Sequence, residues 1–506
     1  MSYNGSVRFL KGLAQIMLGK PNHLEPKLFY HGVSLGGRIG PDHPLRKIKQ
    51  LIDFNFIRSQ VKDLYGEKGN QSVDPAVILK LIFLLFYENI KSERLLMRQL
   101  PLRMDWLWFC GYDIDDNTPN HSVLSKARAR WGTEVFEQFF INVLDQCIAA
   151  GLVDGETVHI DASFIDGNAD IDKVQPNLHL ITKKLSERFD DDIQEQPEEI
   201  DDTQAGHASD DFEISGDTPN TKISPTDPDA RIGRKYGKST LGYKDHRVVD
   251  DKSGVITATV TTAANVNDDK VMAEAFKEHT FKTGTKIKTA IADKGYGTIA
   301  NYKYLYENNI NSCLPHQKHG VRSNTTFSHD KFVYDKQNDC YICPAGNTLT
   351  RYDHKRPHGG AYRYCIERDK CQQCEFLNEC VSSKTRGRLI RRNADAEYVE
   401  WADNCFSKHQ RKRLLSRRMY KAEGSFAIGS NNHGFKRARW RGLVKVQIQN
   451  LVIAAVQNIG KLMRGRGEKV SPPVGSRVQP TAIDQNFVKL ARFLGRLVLC
   501  ERILSF

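Results

Sequence analysis

Apolar positions along the chain follow two rhythms. From about residue 45 to 155 they recur at helical spacing. The stretch SVDPAVILKLIFLLFYEN (72–89) opens on a polar cap at Ser72 or Asp74 and places Pro75 in the first turn, which predicts a buried helix. Residues 121–151 keep the same period, with Lys126, Arg128 and Arg130 spaced along the first part, a basic helical face suited to phosphates. At 156–165 the rhythm changes to that of a strand, which reads as ending at Asp161 after the run VHI. From Ser239 alternation dominates. LGYKDHRVVD and GVITATVTTAA flank the turn DDKSG (250–254), a hairpin signal. A helix (NDDKVMAEAFKEHT), a strand closing on Asp293 (IKTAIAD), a helix (GTIANYKYLYENN) and a strand (INSCLP) follow. That order predicts an α/β fold: a mixed sheet with flanking helices, behind an all-helical N-terminal region.

The 506 residues suffice for two or three domains. Residues 188–229 lack aliphatic density and helical period, which predicts an acidic disordered insertion. Residues 187–229 hold fifteen acidic and two basic side chains, so the net +13 of the whole chain leaves about +26 on the rest. Such an excess on a folded body points to a polyanion, most often nucleic acid. The longest apolar run, 77–87, is too short to span a bilayer and contains Lys80; MSYNGSVRFLKG has no signal-peptide pattern. The expectation is a cytoplasmic protein with no membrane partner. GRKYGKS (233–239) imitates a phosphate-binding loop, but its first glycine is one residue too close and no apolar strand precedes it. After the linker SPPVGSRVQP, Phe487, Leu490, Leu494 and Leu497 would line one face of a C-terminal amphipathic helix. The predicted segments are a helical, DNA-binding 1–155, core pieces at 156–187, 231–320 and 396–465, the acidic insertion 188–230, a cysteine-rich insertion 321–395 and the tail 466–506.

Candidate chemistry begins with carboxylates. Asp161 and Asp293 each close a predicted strand, and parallel strand ends meet at one edge of a sheet, where α/β sites usually sit. Two close carboxylates repel, and a divalent cation relieves them. Hard oxygen donors favour Mg²⁺ or Mn²⁺. Asp166, beyond the apolar run, is the second choice for the first acid. A third acid is expected on a helix crossing the sheet, and Glu423 in RKRLLSRRMYKAEGSFAIG is the candidate. It lies in a segment, 408–441, with eleven Lys or Arg. Arg417, Arg418, Lys436, Arg437, Arg439 and Arg441 are the candidates there for DNA contact.

Asp161, the stretch DPDARIGRKYGKSTLGYKDHRVVDDKSGVI, the run ADKGYGT (292–298) and KAEGSFAIGSNNHGFKRARWRGLVKVQIQNLVIAAVQNIGKL (421–462) together resemble bacterial insertion-sequence transposases of the DDE class. The likeness extends over roughly 50–462. It implies an RNase H-like core, a helical N-terminal domain and a cysteine-rich insertion before the last acidic helix. By it, Asp161, Asp293 and Glu423 are the three acids holding Mg²⁺ (or Mn²⁺). The reaction implied is cleavage of double-stranded DNA at the terminal inverted repeats of the element, then strand transfer to target DNA, by a homodimer or larger assembly associated with the bacterial nucleoid. The pattern departs in two places. Ser430 stands where many relatives carry a lysine seven residues after the glutamate, and Arg417, Arg418 and Tyr420 are only approximate counterparts of the family's arginine and tyrosine. A nuclease that cuts without joining, or an inactive DNA-binding repressor built on such a chain, are the alternatives.

Six of the eleven cysteines fall between 340 and 380. CYIC (340–343) and CQQC (371–374) fit a four-thiolate zinc ribbon, with Cys340, Cys343, Cys371 and Cys374 as first choice and Cys365 or Cys380 as possible replacements. An iron–sulfur cluster would need the same thiolates.

Overall fold

The computed structural model describes residues 34–66, 71–176, 222–235, 237–316, 327, 331–352, 361–380 and 387–465. Most of the acidic insertion and the whole C-terminal segment with its amphipathic helix lie outside the described residues.

The N-terminal region is helical, as its periodicity predicts. Pro75–Tyr87 forms helix α1 (numbering only the helices discussed). It is capped by Asp74, whose carboxylate accepts the Ala76 N–H at 3.1 Å, with Pro75 at the first helical position. Eleven of its thirteen residues are buried, because it runs through the middle of the domain rather than along its face. The basic stretch after 121 is two helices, α2 (Ser122–Trp131) and α3 (Glu134–Ala149). Gly132, at φ +68°, makes the break between them.

Strand β1 (Thr157–Asp166) lies at the centre of the main sheet. It does not stop at Asp161 as its apolar run suggests; it continues five residues, because Ala162–Asp166 pair with the long strand β2 (Lys238–Asp250). β2 pairs antiparallel with β1 on one side. On its other side it pairs first with the strand Arg231–Lys235, then with β3 (Ile256–Ala263). Across β1, the strand β4 (Thr289–Ile291) and then β5 (Asn311–Cys313) run parallel to it. GRKYGKS therefore sits in a β-hairpin, not in a strand–loop–helix turn.

The 23-residue helix Leu443–Gly465 packs against β3 and α3. Its Gln447 amide accepts the Thr261 N–H at 2.8 Å and donates to the Thr259 carbonyl at 2.9 Å; Asn458 treats Ile256 alike, at 2.9 and 2.7 Å. Side-chain amides thus satisfy the outer backbone groups of β3 that no further strand pairs. Between 331 and 393 the chain forms a separate five-stranded antiparallel sheet around a small core that includes Phe332, Tyr341, Leu349, Tyr364, Ile366 and Ile390. No helix among the described residues is long and apolar enough to cross a membrane.

Candidate active site

Parallel pairing of His159 with Ile291 sets Asp161 and Asp293 level at the same edge of the sheet, two residues further along each chain. Asp293 lies just past β4, where its carboxylate accepts the Gly295 N–H at 2.8 Å and caps a short 3₁₀ turn. Asp161 points from mid-strand, is 9 % exposed, and accepts the Ala162 N–H at 2.9 Å. Burial pushes its carboxyl up to about 6; the charges of Asp293 and Glu423 push the same way, and Arg418 pulls against them. Asp166, an odd number of residues along the strand, faces away from Asp161 and is exposed.

Glu423 arrives from the helical arm Lys408–Arg418, which continues through one π-helical turn, Met419–Glu423, into the helix Gly424–His433. Residues five apart on an α-helix sit about 140° apart in azimuth. The wider π turn brings Arg418 and Glu423 onto one side. Arg418 Nη2 contacts Glu423 Oε1 at 2.7 Å, and its Nη1 contacts Asp161 Oδ2 at 3.1 Å. One guanidinium thus links two of the three acids. The extra residue of this turn also explains why the arginine fails to match the family spacing.

Further groups here were not legible in the sequence. His159, fully buried on the same face of β1 as Asp161, meets Asp251 at 2.8 Å, and Arg417 reaches the other oxygen of Asp251 at 2.5 Å. Arg247, opposite Asp161 on β2, is also fully buried. It donates to Asp245 at 2.7 Å and to the Ser425 carbonyl at 3.2 Å, and its guanidinium lies over the rings of Phe426 and Phe435. Arg247 thereby fastens the helix that follows Glu423 onto the sheet.

The basic candidates divide. Lys126, Arg130, Lys436, Arg437 and Arg441 are exposed; Lys436 donates to Ser163 Oγ at 2.7 Å, and Arg441 to the Asn168 carbonyl at 3.0 Å. Arg128 does not face solvent as its position in the basic run suggests. It is 7 % exposed, paired with Glu93 and stacked 3.8 Å from the ring centroid of Trp440, so it ties the helical domain to the core. Arg439 is likewise turned inward, onto the Leu85 carbonyl at 2.8 Å and the Phe86 ring.

The cysteines divide too. Cys343, Cys371, Cys374 and Cys380 line one cavity, whereas Cys340, on a strand paired with Thr350 and Asp335, has Asp335 and Asp339 as its charged neighbours. Among the described residues, no three His, Cys, Asp or Glu side chains are grouped closely enough to hold a metal ion as they stand.

A central strand flanked by an antiparallel and a parallel neighbour, with acids level across the parallel pair, defines the class of RNase H-like phosphoryl-transfer proteins. Two comparisons narrow this. A transposase domain (DUF772) matches residues 33–130, over the N-terminal helices, and a transposase DDE domain matches residues 342–463, which include Glu423. The chain is a DDE transposase of the insertion-sequence kind, a family whose general activity is DNA cleavage and strand transfer and whose members generally use divalent metals. No curated protein and no solved structure matches it.

Proposed function

We propose that Asp161, Asp293 and Glu423 are the acids at which this transposase cuts the ends of its element and joins them to target DNA, with Mg²⁺ or Mn²⁺ as the cation. The observation that carries the reading is electrostatic. Acids from three segments far apart in the chain share one pocket, close enough for Asp293 and Glu423 both to raise the proton affinity of Asp161. A set of carboxylates that repel one another, balanced by a guanidinium touching two of them, has the oxygen chemistry and the charge demand of a hard divalent cation. Such a cation, when bound, supplies Lewis acidity for in-line displacement at phosphorus.

The chain's own groups then have definable tasks. Asp161 must give up its proton, and Arg418 must release Asp161 and Glu423 to a ligand that outcompetes it. Exposed Lys436, Arg437 and Arg441, beside the edge of β1, are placed to hold phosphates; Lys126 and Arg130 on α2 offer a second contact, to the duplex ends. Joining two element ends to one target calls for two or more copies of the chain.

The test uses purified protein with DNA carrying the element ends. Asp161→Asn, Asp293→Asn and Glu423→Gln are each expected to abolish cleavage and strand transfer while leaving DNA binding within about threefold of the parent, since none of the three neutralises phosphate charge. Full activity in any one of them removes that residue from the site. Cleavage without joining by the parent protein would make it a nuclease.

A further inference from the structure

We infer that Cys343, Cys371, Cys374 and Cys380 form a four-thiolate zinc site, and that Cys340 is no part of it. The four line a single cavity of about 30 Å³, whose other walls include Phe332, Leu349, Ile366 and Leu377. They come from three short elements. Cys343 begins the turn after the strand Cys340–Ile342; Cys371 and Cys374 lie in and just after the helix Arg368–Gln372; Cys380 ends the helix Leu377–Cys380.

Two features prepare the sulfurs for a cation. The turn after Cys343 folds back through Gly346, at φ +77°, and aims the Asn347 N–H at Cys343 Sγ, 3.3 Å away. An amide pointed at sulfur favours the thiolate, the form that binds metal. Arg388 holds the Cys380 carbonyl at 2.8 Å and favours ionisation of that thiol. Against this, burial, and then the other three cysteines, oppose it. Thiolates facing one another across an apolar cavity need a cation to neutralise them, and soft sulfur donors in a set of four select zinc. Cys340 has a different environment: its strand pairs it with Thr350 and Asp335, and two aspartates, not cysteines, are its charged neighbours. The CxxC spacing at 340–343 therefore does not describe a pair of ligands.

The module also needs such an anchor. Its strands are three to five residues long, and its buried core has seven members, one of them Cys371. A core of that size rarely holds a fold without a staple, and a structural zinc contributes its binding energy directly to folding. Binding draws the ring of sulfurs inward, which helices of five and four residues permit. The last strand of the module, Leu389–Asn393, runs almost directly into the helix Ala396–Asn404, and Arg392 meets Glu400 there at 2.6 Å. The site thus steadies the root of the arm that carries Glu423.

The experiment is metal analysis of the full chain purified under reducing conditions with Zn²⁺ supplied. One zinc per chain is expected, lost in Cys343→Ser and Cys380→Ser and kept in Cys340→Ser. Absence of zinc, iron in its place, or zinc kept by Cys380→Ser and lost by Cys340→Ser overturns the assignment. Should the serine variants fail to fold, Co²⁺ exchanged into the parent protein reports the same point. The sulfur-to-cobalt charge-transfer intensity of four thiolates is expected, and that of three or fewer refutes the site. Neither readout depends on DNA cleavage.

Discussion

Replacing Arg418 with glutamine tests whether its guanidinium sets the charge state of the acidic pocket. The side chain is 15 % exposed and lies 3.1 Å from Asp161 and 2.7 Å from Glu423. Opposite unit charges about 4 Å apart interact by about 4 kcal/mol at an effective dielectric near 20, equivalent to about three pKa units. Sharing one guanidinium between two carboxylates, with some solvent access, reduces this to about one or two units. Asp161 ionises at about 6 with Arg418 present. Without it, ionisation moves up to about 7 or 8. A protonated carboxyl is a poor cation ligand, so the loss shows at neutral pH and disappears in alkali. At subsaturating Mg²⁺, the slope of cleavage rate against metal concentration reports ionisation of the free protein. Its acid limb is expected to shift up by about one to two pH units, lowering the slope at pH 7 by about two- to tenfold. At pH 9 the variant should equal or exceed the parent, because no guanidinium then competes with the cation. An acid limb that stays put or moves down refutes the reasoning.

Two stability predictions rest on buried charge. Arg247→Met leaves the Asp245 carboxylate fully buried without its cation and should cost about 3–5 kcal/mol in urea unfolding, with Asp245→Asn in the same chain recovering much of it. An unchanged midpoint in the single variant would rule out the pair as a structural tie. Asp74→Ala removes both the cap of α1 and the partner that Arg58 contacts at 2.8 and 2.5 Å, and should cost about 2–4 kcal/mol in the same assay. A loss under about 0.5 kcal/mol would mean the cap is dispensable.

Residues that obey a period could be read directly from the sequence. Apolar runs bounded by acids placed Asp161 and Asp293 on neighbouring parallel strands, because a core strand can bury only what matches its neighbours. Glu423 had no such signal. The arm Lys408–Arg418 buries no residue at all, so it has no apolar face for a pattern to show, and only the likeness to a family pointed to its acid. Charge patterning misled at Arg128 and Arg439, since a basic run looks the same whether its guanidinium groups meet solvent or stack on Trp440 and Phe86. The strand LGYKDHRVVD was legible, yet nothing in its alternation said that Asp245 and Arg247 lie inside. The cysteine spacing was ambiguous for a physical reason: CxxC at the end of a strand separates its two sulfurs, whereas at the end of a helix it can bring them together.

The π turn loosens the tie between counting along the chain and position in space. Met419 and Tyr420 project outward from it, 60 % and 81 % exposed, so the additional residue is accommodated on the solvent side while guanidinium and carboxylate keep one azimuth. Deleting either would let the helix relax to ordinary winding with that pair still face to face. A catalytic helix made this way can gain or lose a residue next to its essential acid without losing the acid, and a search that fixes the interval between arginine and glutamate would pass such chains by.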